Sequence, residues 1–239
     1  MKHIPLFLLC MLILASCSKP TVEPKLVPEE PVIVEERTPV KIPLRGIIPD
    51  SVIREAQTKY GTFAANRYRA YNAKLLELQN STTEEKLEEI NDFFNQVPHG
   101  EDIEVWGRND YWATPLEFLG RDRGDCEDYV IAKYFALRDL GIATNKLYFS
   151  YVKSLRFNIE HMVLSYFETP TSVPLILDNT NFKIFPADQR PDLVPVYNFN
   201  MKATFRARKS GKMGERVEPR VRIKNHWERL IHDIETNKM

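Results

Sequence analysis

The chain has 239 residues, with 33 basic and 33 acidic side chains, 43% hydrophobic residues and three cysteines. This length suits one globular domain or two small ones. A net charge of zero argues against a protein that works mainly by neutralising nucleic-acid phosphates, so no nucleic-acid partner is expected. The hydrophobic content excludes a chain that is disordered throughout.

The amino terminus has the pattern of an export signal. Lys2 precedes a hydrophobic run of about 12 residues, which is too short for a bilayer core that needs about 20. We therefore expect residues 1–16 to be a signal peptide. The motif LASC, which ends at Cys17, is similar to a bacterial lipobox and predicts a lipidated cysteine; Ser18 favours the outer membrane. The alternative is that Cys17 is incidental and a conventional peptidase cuts nearby.

Residues 17–49 are rich in proline, with seven of the sixteen prolines and no aromatic residue. Such a segment cannot form a core, so we expect a semi-rigid tether behind the lipidated cysteine. The alternative is a proline-rich ligand for another protein. Once Cys10 has left with the signal and Cys17 is lipidated, Cys126 is the remaining thiol, which excludes an intrachain disulfide.

Helical patterns begin the predicted domain, which spans residues 50–239. The expected helix starts are Asp50 or Ser51, the residue after Gly61, and the capping box of Thr82 with Glu85. An acidic and aromatic loop is expected at 101–115, and a further helix from near Asp125 to about Leu140.

Three apolar runs with the character of strands follow that helix, at residues 146–152, 161–167 and 173–179. Because they are apolar on both faces, we expect them in the interior of a sheet. Helices followed by an antiparallel sheet indicate an α+β domain.

Three residues have the types and spacing of a cysteine-based catalytic triad. Cys126 lies in the first turn of its expected helix, where free N–H groups favour a thiolate and can stabilise an oxyanion. His161 opens the second strand-like run and Asp178 lies near the end of the third, so a hairpin would make them neighbours. The alternatives are a small core cysteine, a structural histidine and an aspartate that caps a turn.

Three segments resemble the LapG-type bacterial transglutaminase-like cysteine proteinases over about residues 50–205: WGRNDYWATPLEFLGRDRGDCEDYVIAKYFALRDLGI, HMVLSYF and PLILDNTNFKIFPADQRPDLVPVYNFN. The resemblance implies a papain-like or transglutaminase-like fold, with Cys126 as nucleophile, His161 as base and Asp178 as the acid that orients the base. It also implies a calcium-associated periplasmic protease that cuts a large surface adhesin near its amino terminus and so releases biofilm. A cyclic di-GMP-responsive inner-membrane receptor is then expected to sequester the protease.

The acids around Cys126 also favour a cation. Asp125, Glu127 and Asp128 would raise the pKa of the thiol, and a Ca²⁺ ion bound by Asp125 and Glu127 would offset them. Further candidate ligands in the preceding loop are Glu101, Asp102, Glu104 and Asp110. The alternative is the ordinary favourable placement of acids at a helix N-terminus.

The sequence therefore predicts a lipid-anchored, calcium-dependent cysteine endopeptidase. The resemblance is to soluble periplasmic proteins, whereas Cys17 and the tether predict an anchored protein held near an outer-membrane adhesin. A transglutaminase-like acyl transferase and an inert binding lipoprotein are the alternative functions.

The carboxyl-terminal region contains a concentration of positive charge. Residues 202–224 contain nine basic and two acidic side chains, a net charge of +7. This is either a solvated face or a surface that attracts an acidic substrate, an acidic partner or a lipid surface. Asn225 and Glu228 then predict the cap of a terminal helix that carries Leu230, Ile231 and Ile234.

Overall fold

The computed structural model describes residues 46–236, which belong to the unit Ile42–Met239. The predicted signal peptide at 1–16, the lipidation of Cys17 and most of the segment 17–49 lie outside the described residues. Within the described part of the chain, no helix is long and apolar enough to cross a membrane.

Helices form the first half of the fold. Within residues 46–236 the α-helices are α1 (Asp50–Tyr60), α2 (Thr62–Leu78), α3 (Thr83–Asn95), α4 (Asp102–Trp106), α5 (Pro115–Arg121), α6 (Cys126–Asp139) and α7 (Val221–Glu235). The predicted capping box is present at α3, where the side chain of Thr82 accepts from the Glu85 N–H and the Glu85 carboxylate accepts from the Thr82 N–H. A second box, Thr114 with Glu117, starts α5. Each box satisfies N–H groups that the first helical turn leaves unpaired.

The strands form one antiparallel sheet in the order β4-β3-β2-β1-β5-β6-β7. They are β1 (Leu147–Ser154), β2 (Ile159–Tyr166), β3 (Leu175–Leu177), β4 (Phe185–Pro186), β5 (Leu193–Phe199), β6 (Thr204–Ala207) and β7 (Met213–Val217). The three predicted runs correspond to β1, β2 and a shorter β3, and all three lie in the interior of the sheet. The predicted α+β class, with helices first and an antiparallel sheet after them, is confirmed.

Two boundaries in the expected pattern were wrong. The expected loop at 101–115 contains the short helix α4, and the terminal helix begins at Val221 instead of Asn225. Arg220 is the N-cap residue of α7 and makes no side-chain cap hydrogen bond. The earlier start is explained by Ile223, which is buried one heptad before Leu230 and so extends the apolar face of α7 backwards.

The central helix α6 is buried from Asp128 to Leu137, whereas Cys126 at its start is half-buried. It packs against α3, α5 and β2. Tyr134 of α6 contacts Phe149 of β1 at a ring separation of 5.1 Å, and Phe149 meets Trp227 of α7 at 5.4 Å. These aromatic contacts connect α6, the sheet and the terminal helix in one core.

Candidate active site

Cys126 is the first residue of α6 and lines a cleft of about 590 Å³. His161, Glu127 and Asn179 line the same cleft. The N-cap residue of the helix, Asp125, forms no side-chain cap hydrogen bond. The backbone N–H groups of the first turn therefore remain as donors beside the sulfur, where an oxyanion would form.

The pairing of β2 with β3 brings His161 and Asp178 together. Leu164 lies opposite Leu177, so the chain that leaves β3 runs alongside the start of β2. His161 Nε2 lies 2.9 Å from Asp178 Oδ1, and both side chains are buried. Since the carboxylate accepts this hydrogen bond, Nε2 carries the proton and Nδ1 is the ring nitrogen left to act as a base.

Asp178 is held in its ionised form by several donors. Its Oδ1 also accepts from the Thr180 backbone N–H at 2.8 Å and from the Thr180 hydroxyl at 2.9 Å. Its Oδ2 accepts from the Arg190 guanidinium at 2.8 Å. Burial alone would raise the pKa of Asp178, but the His161, Thr180 and Arg190 hydrogen bonds hold the pKa well below its usual range. A permanent negative charge therefore faces the imidazole.

The buried Lys133 supports the chain around Asp178 through two asparagine side chains. Lys133 Nζ donates to Asn91 Oδ1 at 2.8 Å and to Asn95 Oδ1 at 2.6 Å. The Asn95 amide donates to the carbonyl of Asp178, and the Asn91 amide donates to the carbonyl of Phe182, each at 2.8 Å. Burial lowers the pKa of Lys133 to about 7. Sequence reasoning missed this network; its one local signal is a lysine within an otherwise apolar stretch of α6.

The thiol of Cys126 has acidic neighbours. Its Sγ donates to Glu127 Oε2 at 2.8 Å. Burial raises the pKa of the thiol well above its usual value, and the negative charges of Glu127 and Asp125 raise it further, against a hydrogen bond from the Met162 backbone N–H. This is the direction that the acid-rich sequence predicts, and it opposes formation of a thiolate.

Three aspartates converge next to the nucleophile. Asp102, Asp125 and Asp128 each place a carboxylate oxygen within 4.8 Å of the others. The buried oxygens Asp102 Oδ1, Asp125 Oδ1 and Asp128 Oδ2 have no hydrogen-bond partner. The opposite oxygens of two of them are occupied, because the Tyr111 N–H donates to Asp102 Oδ2 and the Ala113 N–H donates to Asp128 Oδ1. Buried acceptors without donors are rare in proteins unless something else satisfies them.

The electrostatics of this cluster fit a divalent cation. Burial, followed by the charges of neighbouring acids, raises the pKa of Asp125 to about 10. Burial likewise raises the pKa of Asp102 to about 6 and that of Asp128 well above its usual value. A backbone hydrogen bond opposes the rise in both cases, and the Trp106 indole N–H also opposes it at Asp128. A set of carboxylate oxygens is the donor type that Ca²⁺ prefers, and three unpaired oxygens leave room for such an ion.

The acids that were predicted from the sequence as candidate calcium ligands fall into two groups, those within the aspartate cluster and those with other partners. Asp125 lies in the cluster, whereas the carboxylate of Glu127 accepts from the Cys126 thiol. Asp102 is the acid of the preceding loop that joins the cluster. The other loop candidates have basic neighbours: Glu101 pairs with His99, Glu104 with Arg123, and Asp110 with Arg222 and His226.

The terminal helix α7 contacts the loop between α4 and α5, which contains Asp110. Arg222 Nε donates to Asp110 Oδ2 at 2.6 Å, and His226 Nε2 lies 2.8 Å from the same oxygen. Arg229 donates to the carbonyl of Trp112 at 2.8 Å. The loop between α4 and α5, whose backbone N–H groups contact the aspartate cluster, is therefore braced by the carboxyl-terminal helix.

One known protein family matches more than half of the chain. The model of the family described as bacterial transglutaminase-like cysteine proteinase matches residues 60–199. The chain belongs to this family. The protein is a cysteine protease with the transglutaminase-like fold that the sequence predicted.

Solved structures of a bacterial transglutaminase-like cysteine proteinase are similar to this chain. Legionella pneumophila LapG in its calcium-bound form is 36% identical, with a TM-score of 0.65 over 77% of this chain and 99% of LapG. The EGTA-treated form is also 36% identical, with a TM-score of 0.66 over 81% of this chain and 100% of LapG. No curated protein sequence matched the chain.

Proposed function

We propose that this protease is a calcium-dependent endopeptidase that uses Cys126 as nucleophile, His161 as base and Asp178 as the orienting acid. The observation that carries the proposal is the position of Cys126 at the start of α6, in the same cleft as the hydrogen-bonded His161–Asp178 pair. The order of the three groups, from thiol to imidazole to carboxylate, is that of an activated nucleophile.

The reaction requires one proton carrier. His161 takes the thiol proton of Cys126 at Nδ1, and the sulfur attacks the carbonyl carbon of the scissile peptide bond. The N–H groups at the start of α6 stabilise the oxyanion. His161 then gives its proton to the leaving amine as the C–N bond breaks. Water, deprotonated by His161, hydrolyses the thioester and restores the thiol, while Asp178 keeps the imidazole in position throughout.

Asp102, Asp125 and Asp128 would hold the calcium ion. When bound, Ca²⁺ supplies positive charge that compensates these carboxylates beside the thiol. The residues then keep the start of α6 in place, and Asp125 no longer raises the pKa of Cys126. Two findings support this assignment: the three unpaired oxygens of the cluster, and the similarity to LapG in its calcium-bound and EGTA-treated forms.

For the cellular role, we propose cleavage of a large surface adhesin near its amino terminus, with release of biofilm under cyclic di-GMP control. The protease would act in the periplasm, anchored through Cys17 to the outer membrane, and an inner-membrane receptor that responds to cyclic di-GMP would sequester it. The family membership and the export-signal pattern of residues 1–16 support this role.

The test is incubation of the full chain with the amino-terminal region of an adhesin from the same organism, followed by mass spectrometry. We expect two fragments, and a crosslinked product would instead indicate acyl transfer to an amine. Cys126→Ala should lower the rate by at least about 10³-fold and leave the melting temperature nearly unchanged. Cleavage by that variant at the wild-type rate would refute the mechanism.

A further inference from the structure

The active-site cleft continues along the sheet, away from the nucleophile. It shares Tyr151, Glu160 and Arg222 with a narrow cavity of about 40 Å³. Because the two spaces share these lining residues, they are adjacent. A polypeptide that extends from the cleft on this side therefore reaches the narrow cavity. Tyr151, from β1, lines both spaces at their junction.

The narrow cavity leads to a third space of about 250 Å³. These two share Tyr197, Arg220 and Ile223, and Arg206 of β6 lines the third space. The rings of Tyr151 and Tyr197 stack with centroids 5.1 Å apart, so the two side chains lie side by side along this path. We call this path, lined by Tyr151 and Tyr197 and ending at Arg206, the distal groove.

The sheet register gives the distal groove a measurable length. Met162, whose N–H contacts the Cys126 sulfur, lies opposite Tyr151; Tyr151 lies opposite Tyr197, and Tyr197 lies opposite Arg206. Those positions cross three strand spacings of about 4.8 Å each, or about 14 Å. An extended peptide advances about 3.3 Å per residue, so about four residues separate the cleaved bond from Arg206.

Positive charge is concentrated at the far end of the distal groove. Within residues 46–236, neither Arg206 nor Arg220 has an acidic ion-pair partner; the guanidinium of Arg220 lies over the Tyr197 ring at 5.2 Å. Arg222, nearer the nucleophile, is already paired with Asp110. One acid, Glu218, also lines the third space, which leaves a net positive charge there.

We propose that the distal groove is a specificity subsite for an acidic side chain of the polypeptide substrate. The preferred substrates then carry Asp or Glu about four residues, within a range of about three to five, from the cleaved bond on one side. Arg206 and Arg220 bind that carboxylate, and the stacked tyrosines support the backbone between it and the bond. This inference rests on the proposed endopeptidase function and names the class of sequence that it accepts.

Peptide profiling tests the subsite without a known substrate. A proteome-derived library made with chymotrypsin keeps both acidic and basic residues, and the full chain with calcium would be incubated with it. Mass spectrometry then counts Asp and Glu at each position around the cuts. We expect enrichment about three to five residues from the cut on one side, with all cleavage absent in Cys126→Ala.

A charge swap separates a specificity role from a structural one. Arg206→Glu should reverse the preference at that position from acidic to basic residues. For a matched peptide pair, the ratio of kcat/KM between the acidic and the neutral peptide should fall about fivefold, which is the factor for an exposed ion pair. The control is Arg208→Glu, an equal charge change on the same hairpin at an exposed residue that does not line the groove.

The outcomes separate this inference from the proposed function. Cys126-dependent cleavage without an acidic preference overturns the subsite and leaves the endopeptidase standing. An equal loss of preference in Arg208→Glu also overturns the subsite, because it would show a long-range field instead of a local contact. Absence of Cys126-dependent cleavage overturns both proposals.

Discussion

Two buried carboxylate environments flank the thiol of Cys126, and their electrostatics are opposite. Asp178 receives hydrogen bonds on both oxygens from His161, Thr180 and Arg190, and its pKa is held well below the usual range. In the aspartate cluster, one oxygen on each of three carboxylates has no donor, and the pKa of Asp125 rises to about 10.

This difference shows that the donors and charges around a buried aspartate, and not its residue type, decide whether the carboxyl group is ionised. At Asp178 the chain provides its own donors, so the negative charge is stable without any addition. At the cluster the chain brings like charges together with too few donors, so the ionised form needs an external cation. The first site is complete in the folded protein, and the second is completed by binding.

The largest expected effect comes from removing Asp178. Asp178→Ala leaves His161 without its carboxylate partner and removes one of the two carboxylates that contact the buried Arg190 guanidinium, so we expect a loss of about 3 to 5 kcal/mol in the free energy of unfolding. We also expect kcat to fall by about 10⁴-fold, because the imidazole loses its orientation. Chemical denaturation and steady-state kinetics measure the two effects.

Asp192→Ala is the matched control for that variant. It removes the other carboxylate that Arg190 contacts, a more exposed one. An exposed pair contributes at most about 1 kcal/mol, and activity should persist. Equal damage by both variants would contradict the special role of Asp178.

The second effect concerns calcium. With Ca²⁺ at 100 times its Kd, binding should stabilise the wild-type protein by about 2.7 kcal/mol. Asp128→Asn keeps an acceptor for the Ala113 N–H but replaces the unpaired oxygen, so most of that gain should disappear. The metal-free variant should be at least as stable as the metal-free wild type, because one like charge has gone.

Calcium titration followed by thermal unfolding measures this loss. Glu104→Gln is the control, since this acid belongs to the same part of the chain but lies outside the cluster. A calcium-induced shift in Asp128→Asn as large as in the wild type would rule out the cluster as the site.

The third effect is a pH dependence with a defined sign. Folding raises the pKa of Asp102 from 3.8 to about 6 and that of Asp125 from 3.8 to about 10. A raised pKa contributes stability below pH 3.8, and that stability is lost as the pH rises through the folded value. Asp178 has the opposite sign, and its contribution is lost only below its unfolded pKa.

Metal-free protein should therefore be less stable at pH 8 than at pH 5. Calcium should stabilise the protein more at pH 8 than at pH 5. Denaturation with EGTA and with calcium at both pH values measures the difference. Equal stability of the metal-free protein at the two pH values would contradict the raised pKa values.

Local patterns made the centre of this site predictable. A helix start at Cys126 follows from helix periodicity and its stop signal, and the approach of His161 to Asp178 follows from two apolar runs that pair as a hairpin. The supporting residues could not be predicted in this way. Arg190 and Lys133 reach Asp178 or its loop from other elements, and no short-range pattern reports contacts of that kind.

The later strands were missed for a related reason. β6 and β7 lie within the basic segment 202–224, where charged side chains alternate with apolar ones on a partly solvated surface. Their pairing depends on β5 and on the whole sheet, not on strongly apolar runs of their own. Asp102 was one of four unranked candidates in the segment before Cys126, because its approach to Asp125 and Asp128 depends on tertiary structure and not on spacing from Cys126.

The brace between α7 and the loop at Asp110 and Trp112 joins segments that lie far apart in the sequence. Asp110 is 112 residues from Arg222, and Trp112 is 117 residues from Arg229. The braced loop donates backbone N–H groups to two of the three clustered aspartates, Asp102 and Asp128. The geometry of the aspartate cluster therefore depends on a long-range contact, and a substitution in α7 can alter it without replacing any of the three carboxylates.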